Sequence, residues 1–494
     1  MLYLGIDLGT SYVKVSVWDA ETGRNRVTVQ YPEQEAPILS RYPGWAEQSP
    51  DDWWNYVRNA IHKANATKTY DVADISGIGI AYQMHGLVLL DRQGANIGNS
   101  IIWCDSRSVN SGERMLHLLG KEYCYDHLLN APGNFTAAKL AWLQEHEPHM
   151  IDRIHQLMLP GDYLAFRMTG EATTTASALS EGTFWDFKED QPATRLFKEY
   201  HWNPDWIPPI RQVFGEHGYL SSAAAAELQL VAGIPLLYKA GDQMNNAWSL
   251  GVEKPGQIAA TAGTSGVIFA VTDQTIADPH SRINTFAHVH HSTDQINLGL
   301  LMCINGAGIL NKWMRQISGN RMGYDEMNQM ASKIQPGSEG LHFFPFGNGA
   351  ERMLGNQLLH AHIQQIDFNR HTPAHLFRAA QEGVAFAFRY GLDLLREMKV
   401  ETEMIRAGRA NLFLSEVFVE AFVQLTQTPL ELIDTNGSVG AAMGAARGSG
   451  NFSPVKDSKF SESSYRKIDP DKNVVRWEEL YQEWLCELNN KIKN

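Results

Sequence analysis

Residues Leu4–Val15 read LGIDLGTSYVKV. An apolar run ends on Asp7, a Gly-Thr-Ser turn follows, and a second strand-like run carries the lone Lys14. The pattern is a β-hairpin, since Asp and Gly are ordinary turn residues. Taken alone it says no more than that, because short motifs match often by chance. It gains weight from an echo. Residues Ala260–Val271, ATAGTSGVIFAV, repeat the order strand, Gly-Thr-Ser, strand. Two such hairpins, each opening one half of the chain, point to a duplicated lobe. Two lobes that each offer backbone N–H groups and hydroxyls can grip one phosphate chain from both sides.

The rest of the chain is consistent with a large α/β protein. Its 494 residues suggest about two to four domains. Hydrophobic residues make up 44% and charged residues 20%, the balance of a well-buried globular chain. A formal net charge of -13 weighs against nucleic-acid and anionic-membrane partners, because no basic surplus exists to neutralise phosphates. A polyanionic substrate would then need a metal ion and local backbone donors. The four cysteines, Cys104, Cys124, Cys303 and Cys486, have neither CxxC nor zinc spacing and read as thiols in a reducing cytosol. No signal-peptide pattern or run of ~18 apolar residues occurs, so a soluble cytoplasmic protein is expected.

Strands and helices alternate through most of the sequence. SPDDWWNYVRNAIHKANA begins with Ser49 as N-cap, Pro50 at N1 and two acids in the first turn, which predicts a helix. It should bury at least one of Trp53 and Trp54. Thr372 and Pro373 open a second helix in the same way. ISGIGIAYQMHGLVLLD predicts strand, bend, strand. A polar segment is expected from about 448 to 471, followed by a closing helix in RWEELYQEWLCELNNKIK. No linker separates the halves, so the lobes must pack closely or share elements.

The phosphate site is of neither common motif type. No GxxxxGK[ST] is present, and GAGILN (Gly306–Asn311) lacks the context of a dinucleotide fingerprint. In the hairpin reading, Asp7 sits near the metal that bridges the phosphates, through water, because Mg²⁺ keeps much of its hydration. Lys14 either reaches the transferred phosphoryl group or is a solvated strand lysine. A second strand-end acid, Asp242, lies in YKAGDQMNNAWSLG. It is either a helix cap or the base that takes a proton from an attacking hydroxyl. A weak base suffices there, since phosphoryl transfer has a loose transition state.

With Asp7, the two Gly-Thr-Ser turns and Asp242 in place, the chain resembles the FGGY family of carbohydrate kinases. That family belongs to the actin, Hsp70 and hexokinase-like superfamily. The resemblance is colinear from residue 1 to about 450, and it is closest to the xylulokinase branch. GWAEQSPDDWW (Gly44–Trp54), YQMHG (Tyr82–Gly86) and IIWCDSRS (Ile101–Ser108) resemble that branch. Glycerol kinases carry Arg-Glu where this chain has Met84-His85. FPFGNGAER (Phe344–Arg352) and AAQEGVAFAF (Ala379–Phe388) resemble the C-terminal signatures.

The resemblance implies two actin-like (ribonuclease H-like) α/β lobes, residues 1–245 and 246–494, with ATP and Mg²⁺ in the cleft between them. It implies transfer of a phosphoryl group to a ketopentose, D-xylulose giving D-xylulose 5-phosphate. Asp242 becomes the base and Asp7 the metal-side acid. Thr10, Ser11 and Lys14 lie at the phosphates from the first lobe, and Gly263, Thr264 and Ser265 from the second. Gly308 and Lys312 contact the nucleotide, and Gly408 and Asn411 form the adenine loop. Met84 and His85 meet the sugar, with Gln243 and Trp103 as further sugar contacts. Three departures bear on specificity. The adenine loop RAGRAN keeps one Gly, Ala262 replaces a bulkier residue, and TTTASALSEGTFWDF (Thr173–Phe187) lacks the Asp or Asn many relatives have. Another ketose or polyol as substrate, or a non-catalytic nucleotide- or sugar-binding member of the fold, are the rival readings. A homodimer is left open.

Two further stretches carry bland readings. FAHVHHSTD puts His288 and His290 on one strand face, where hydrogen-bonding histidines of a hairpin outweigh a zinc site. SVGAAMGAARGSG (Ser438–Gly450) is a small-residue helix suited to close packing at least as well as to nucleotide contact.

Overall fold

The computed structural model describes residues 1–450, 465–471 and 475–493. Most of the polar segment expected before the closing helix, 451–464, lies outside the described residues.

Each half of the chain builds the same strand pattern. The first sheet contains β1 (Leu2–Leu8), β2 (Val13–Asp19), β3 (Arg24–Tyr31), β4 (Ile75–Tyr82) and β5 (Leu236–Gly241), in the order β5-β4-β1-β2-β3. β1, β2 and β3 form an antiparallel meander, and β4 and β5 extend it in parallel. The second sheet contains β6 (Gln257–Ala262), β7 (Gly266–Thr272), β8 (Asn284–Ala287), β9 (Leu298–Ile304), β10 (Met404–Gly408), β11 (Leu430–Ile433) and β12 (Tyr465–Ile468). Its order is β8-β9-β7-β6-β10-β11-β12. Without the edge strands β8 and β12, the remainder β11-β10-β6-β7-β9 matches the first sheet in order and direction. The Gly-Thr-Ser echo thus marks a duplicated fold. The two turns differ by one residue, since Leu8 pairs with Val13 but Ala262 pairs with Gly266.

Eight helices bear on the site. They are α1 (Pro50–Ala66), α2 (Thr136–His146), α3 (Ala176–Glu181), α4 (Asp242–Ser249), α5 (Gly308–Ile317), α6 (Pro373–Glu397), α7 (Gly437–Gly448) and α8 (Val475–Lys493). The Ser49 hydroxyl accepts from the Asp52 amide at the start of α1, and both Trp53 and Trp54 are buried.

The period-2 alternation of β1 decides what each face meets. Leu4, Ile6 and Leu8 enter the core shared with α1. Tyr3, Gly5 and Asp7 face α7 instead, although α7 comes from the far half of the chain. The Tyr3 hydroxyl is 2.8 Å from Ser449 Oγ. Gly5 and Gly79 are direct partners across β1 and β4. A Cβ on Gly5 would lie 1.8 Å from the Ser438 carbonyl oxygen, and one on Gly79 2.0 Å from that of Ala441. The helix reciprocates with Gly444 against the Tyr238 ring and Gly448 against the Leu237 carbonyl. The small residues of SVGAAMGAARGSG therefore serve backbone-to-backbone packing. A helix from the far half of the chain thus packs directly on the first sheet.

Candidate active site

The site starts from strand register. Asp7, Ala81 and Ala240 lie abreast on β1, β4 and β5, and Leu8, Tyr82 and Gly241 form the next row. Asp7 thus lies one residue before the end of β1, and Asp242, the first residue of α4, directly follows β5, with β4 between the two strands. The two acids sense each other. Burial pushes the Asp242 carboxyl up to about 7, and the negative charge of Asp7 adds to the rise, against opposing hydrogen bonds from Gln243. Burial also raises Asp7, while Lys14, its direct partner on β2, pulls it down. The Asp7 carboxyl lies against the start of α7, where a Cβ on Gly437 would be 2.3 Å from Oδ2. Asn245 Nδ2 of α4 donates to the Gly437 carbonyl at 2.9 Å, so α7 and α4 are tied together beside both acids.

The first Gly-Thr-Ser turn closes through Gly9 N–H donating to Tyr12 O at 3.0 Å. Its Thr10 hydroxyl is already engaged. It donates to Gln83 Oε1 and accepts from Trp103 Nε1, each at 2.9 Å. Gln48 Nε2 donates to the Thr10 carbonyl at 2.8 Å, and Gln83 Nε2 to Gln48 Oε1 at 2.9 Å. Its one hydroxyl proton is thus directed at Gln83, and Thr10 joins the first Gly-Thr-Ser turn to Trp103 and to the YQMHG stretch. Ser11 and Lys14 remain half-buried beside it. Trp103 keeps 52% of its surface exposed, unusual for so large a ring, and presents it next to Thr10.

Met84 and His85 follow β4 into a bend. Met84 is buried, and its side chain packs against Gly241, the residue before Asp242. His85 has a φ of 63°, and its ring lies tilted against Phe135 at 4.7 Å and Phe286 of the second sheet at 5.5 Å. Burial, with Lys139 next in weight, lowers its pKa to about 3, so the ring is neutral. Gln243 is half-buried beside Asp242.

On the second lobe, Gly308 at the start of α5 donates to the Gly263 carbonyl at 2.7 Å, and Ile309 N–H to that of Thr264 at 3.0 Å. A Cβ on Gly308 would lie 2.3 Å from Gly263 O, and one on Gly263 3.6 Å from Asn411 Nδ2. The structure so brings Gly263, Thr264, Gly308 and Asn411 to one place, with Ser265 completing the turn. Gly408 ends β10 with open space where a side chain would be. Lys312 is exposed on α5, one turn beyond this cluster. Cys303, at the end of β9, senses both Glu351 and Asp242, so the ends of the two sheets converge.

Several residues to which the motifs assign no role are built into the site. Glu351, in FPFGNGAER, accepts the Asn305 amide with both carboxylate oxygens at 3.1 Å and so holds the loop entering α5. Lys139 of α2 and Glu181 of α3 are fully buried on either side of His85. Glu181 lies within TTTASALSEGTFWDF. Lys139 has no local signal, since a lysine in a helix normally reads as solvated. In the histidine stretch, His290 Nε2 is 2.9 Å from a Glu253 carboxylate oxygen. His288 bonds the Val252 carbonyl, and the two rings are 6.5 Å apart.

Two duplicated lobes, each with a Gly-Thr-Ser hairpin, and paired strand-end acids define an actin-like phosphotransferase. The chain belongs to the FGGY family of carbohydrate kinases. Residues 2–248 match that family's N-terminal domain and residues 258–449 its C-terminal domain. It is 28% identical to the xylulose kinase of Escherichia coli over 90% of this chain and 89% of that protein. It is 26% identical to the xylulose kinase of Bacillus subtilis over 97% of this chain and 95% of the relative. The crystal structure of xylulose kinase from Rhodospirillum rubrum superposes with a TM-score of 0.87, at 23% identity and full coverage of both chains. The chain is therefore an ATP-dependent sugar kinase, a phosphotransferase with an alcohol acceptor. Among the described residues, no helix is long and apolar enough to cross a membrane.

Proposed function

We propose that this kinase phosphorylates D-xylulose to D-xylulose 5-phosphate with Asp242 as the base. The observation that carries the reading is the pair of strand-end acids, Asp7 and Asp242, next to a bend bearing Met84 and His85. Relatives that match nearly the whole chain are named xylulose kinases, which supports the choice of sugar.

The terminal hydroxyl oxygen attacks the γ-phosphorus of ATP, the bond to ADP breaks, and the hydroxyl proton passes to Asp242. A carboxyl at about 7 is better matched to that task than a free aspartate near 4. Its proton affinity comes first from burial and then from Asp7, so the site prepares its own base. Phosphoryl transfer depends mainly on in-line placement and offsetting of charge. Met84, His85, Gln243 and the exposed Trp103 ring would orient the sugar. Ser11 and Lys14 would face the phosphates from one lobe, and Gly263, Thr264, Ser265 and Gly308 from the other. The nucleotide would extend along Lys312, Gly408 and Asn411.

Among the described residues, no group of three or more His, Cys, Asp or Glu is placed to hold a metal. Nucleotide-borne Mg²⁺ needs fewer, because phosphates and water fill most of its positions. Asp7 fits that role: it is a carboxylate raised by burial, crowded by a second acid and opposed only by Lys14. Mg²⁺ held there would supply positive charge to the phosphates. We place the reaction in the cytoplasm, where ATP is available and the four free thiols suit a reducing medium.

Coupled ADP release over D-xylulose, L-xylulose, D-ribulose and glycerol tests the reading. D-xylulose should give the highest kcat/KM. A clear preference for another acceptor would replace the sugar, and no sugar-stimulated turnover at all would sink the catalytic reading.

A further inference from the structure

His85 occupies a left-handed backbone conformation that a non-glycine residue holds only when its surroundings enforce it. Three buried side chains hold it, from helices that do not carry the reacting groups. Lys139 Nζ donates to the His85 carbonyl at 2.7 Å, and Thr136 Oγ1 donates to the same oxygen at 3.2 Å. At the other end of the residue, the His85 amide donates to Glu181 Oε2 at 3.3 Å. The ring is held too, since Nδ1 lies 2.8 Å from the Glu181 backbone carbonyl. A carbonyl oxygen can only accept, so Nδ1 carries the hydrogen. The neutral ring then has Nε2 as its lone-pair nitrogen.

Lys139 and Glu181 are both at 0% exposure, a costly placement for ionisable groups. Burial draws the lysine down to about 7 and pushes the glutamic acid well up. The Glu181 carboxyl also touches the turn of the base. A Cβ on Gly241 would be 3.3 Å from its Oε2.

We propose that Lys139 and Glu181 are positioning residues that clamp the His85 backbone at both ends and lock its ring as the Nδ1–H tautomer. Nε2 then accepts a hydrogen bond from a hydroxyl of the sugar. This deepens the sugar-kinase reading above and rests on it.

Two measurements test it. Glu181→Leu should raise the KM for the sugar by about tenfold or more and move the KM for ATP far less. The conservative Glu181→Gln, which keeps an acceptor oxygen for the His85 amide, should recover most of that loss. Equal rises in both KM values, an unchanged sugar KM, or no recovery by Glu181→Gln would overturn the clamp. Should Glu181→Leu not fold, ¹⁵N spectra of the wild-type histidines decide the matter. His85 should show a protonated Nδ1 and a lone-pair Nε2 that shifts on adding sugar. A proton on Nε2, or no shift with a sugar that is turned over, would overturn it. A wild type that turns over no sugar would refute the functional reading, while the tautomer signal would still judge the clamp.

Discussion

Replacing Asp242 with asparagine should make the protein inactive and more stable, and the gain should depend on pH. The carboxyl sits at about 7 in the folded chain against an ordinary value of 3.8. The folded state therefore binds this proton more tightly than the unfolded state does. The resulting stability is fully present below about pH 4 and is lost as pH rises through about 7. At about 1.36 kcal/mol per pKa unit, ionised Asp242 costs the fold up to ~4 kcal/mol at pH 8. Local water and relaxation reduce this, so about 2 kcal/mol is the expected gain for Asp242→Asn at pH 8. The gain should vanish near pH 4, because both side chains are then neutral. Urea unfolding of the two proteins at each pH isolates Asp242 and its coupling to Asp7, since the titrations of distant groups cancel. In the same preparations kcat should fall about 100- to 10,000-fold. Wild-type kcat/KM should rise with pH up to about 7, as the base ionises. A variant no more stable than wild type at pH 8, a difference independent of pH, or retained kcat would refute the reasoning.

Two further substitutions probe the frame around that base. Asp7→Ala removes both the acid that would hold Mg²⁺ and a negative charge next to Asp242. Turnover at ordinary Mg²⁺ should be lost, and the pH-dependent part of the Asp242 destabilisation should shrink; normal turnover would refute the metal role. Gly79→Ala should cost about 3 kcal/mol or more, or prevent folding, since its Cβ would lie 2.0 Å from the Ala441 carbonyl oxygen. Chemical denaturation reads the loss, and a variant within about 0.5 kcal/mol of wild type would mean that helix and sheet are not in that contact.

Much of this protein is readable along the chain because the determinants are local. A hairpin is set by turn residues and alternation, so LGIDLGTSYVKV and ATAGTSGVIFAV declare the duplicated strand pairs. Ser49-Pro50 and Thr372-Pro373 announce helix starts through groups a few residues away. The two acids are visible because each ends an apolar run. Colinear motifs then carry the family.

Tertiary structure alone decided what depends on residues far apart in sequence. Whether SVGAAMGAARGSG packs or binds could not be settled from its small residues, because the answer lies in Gly5 and Gly79, more than 350 positions earlier. Thr10 looks like a free hydroxyl until Gln83 and Trp103 are seen to use it. Lys139 and Glu181 look like a solvated helix lysine and a turn acid until the fold buries them against His85. The shifted proton affinity of Asp242 has the same origin. Burial and a neighbouring charge are properties of the assembled interior, and a chain read residue by residue contains neither.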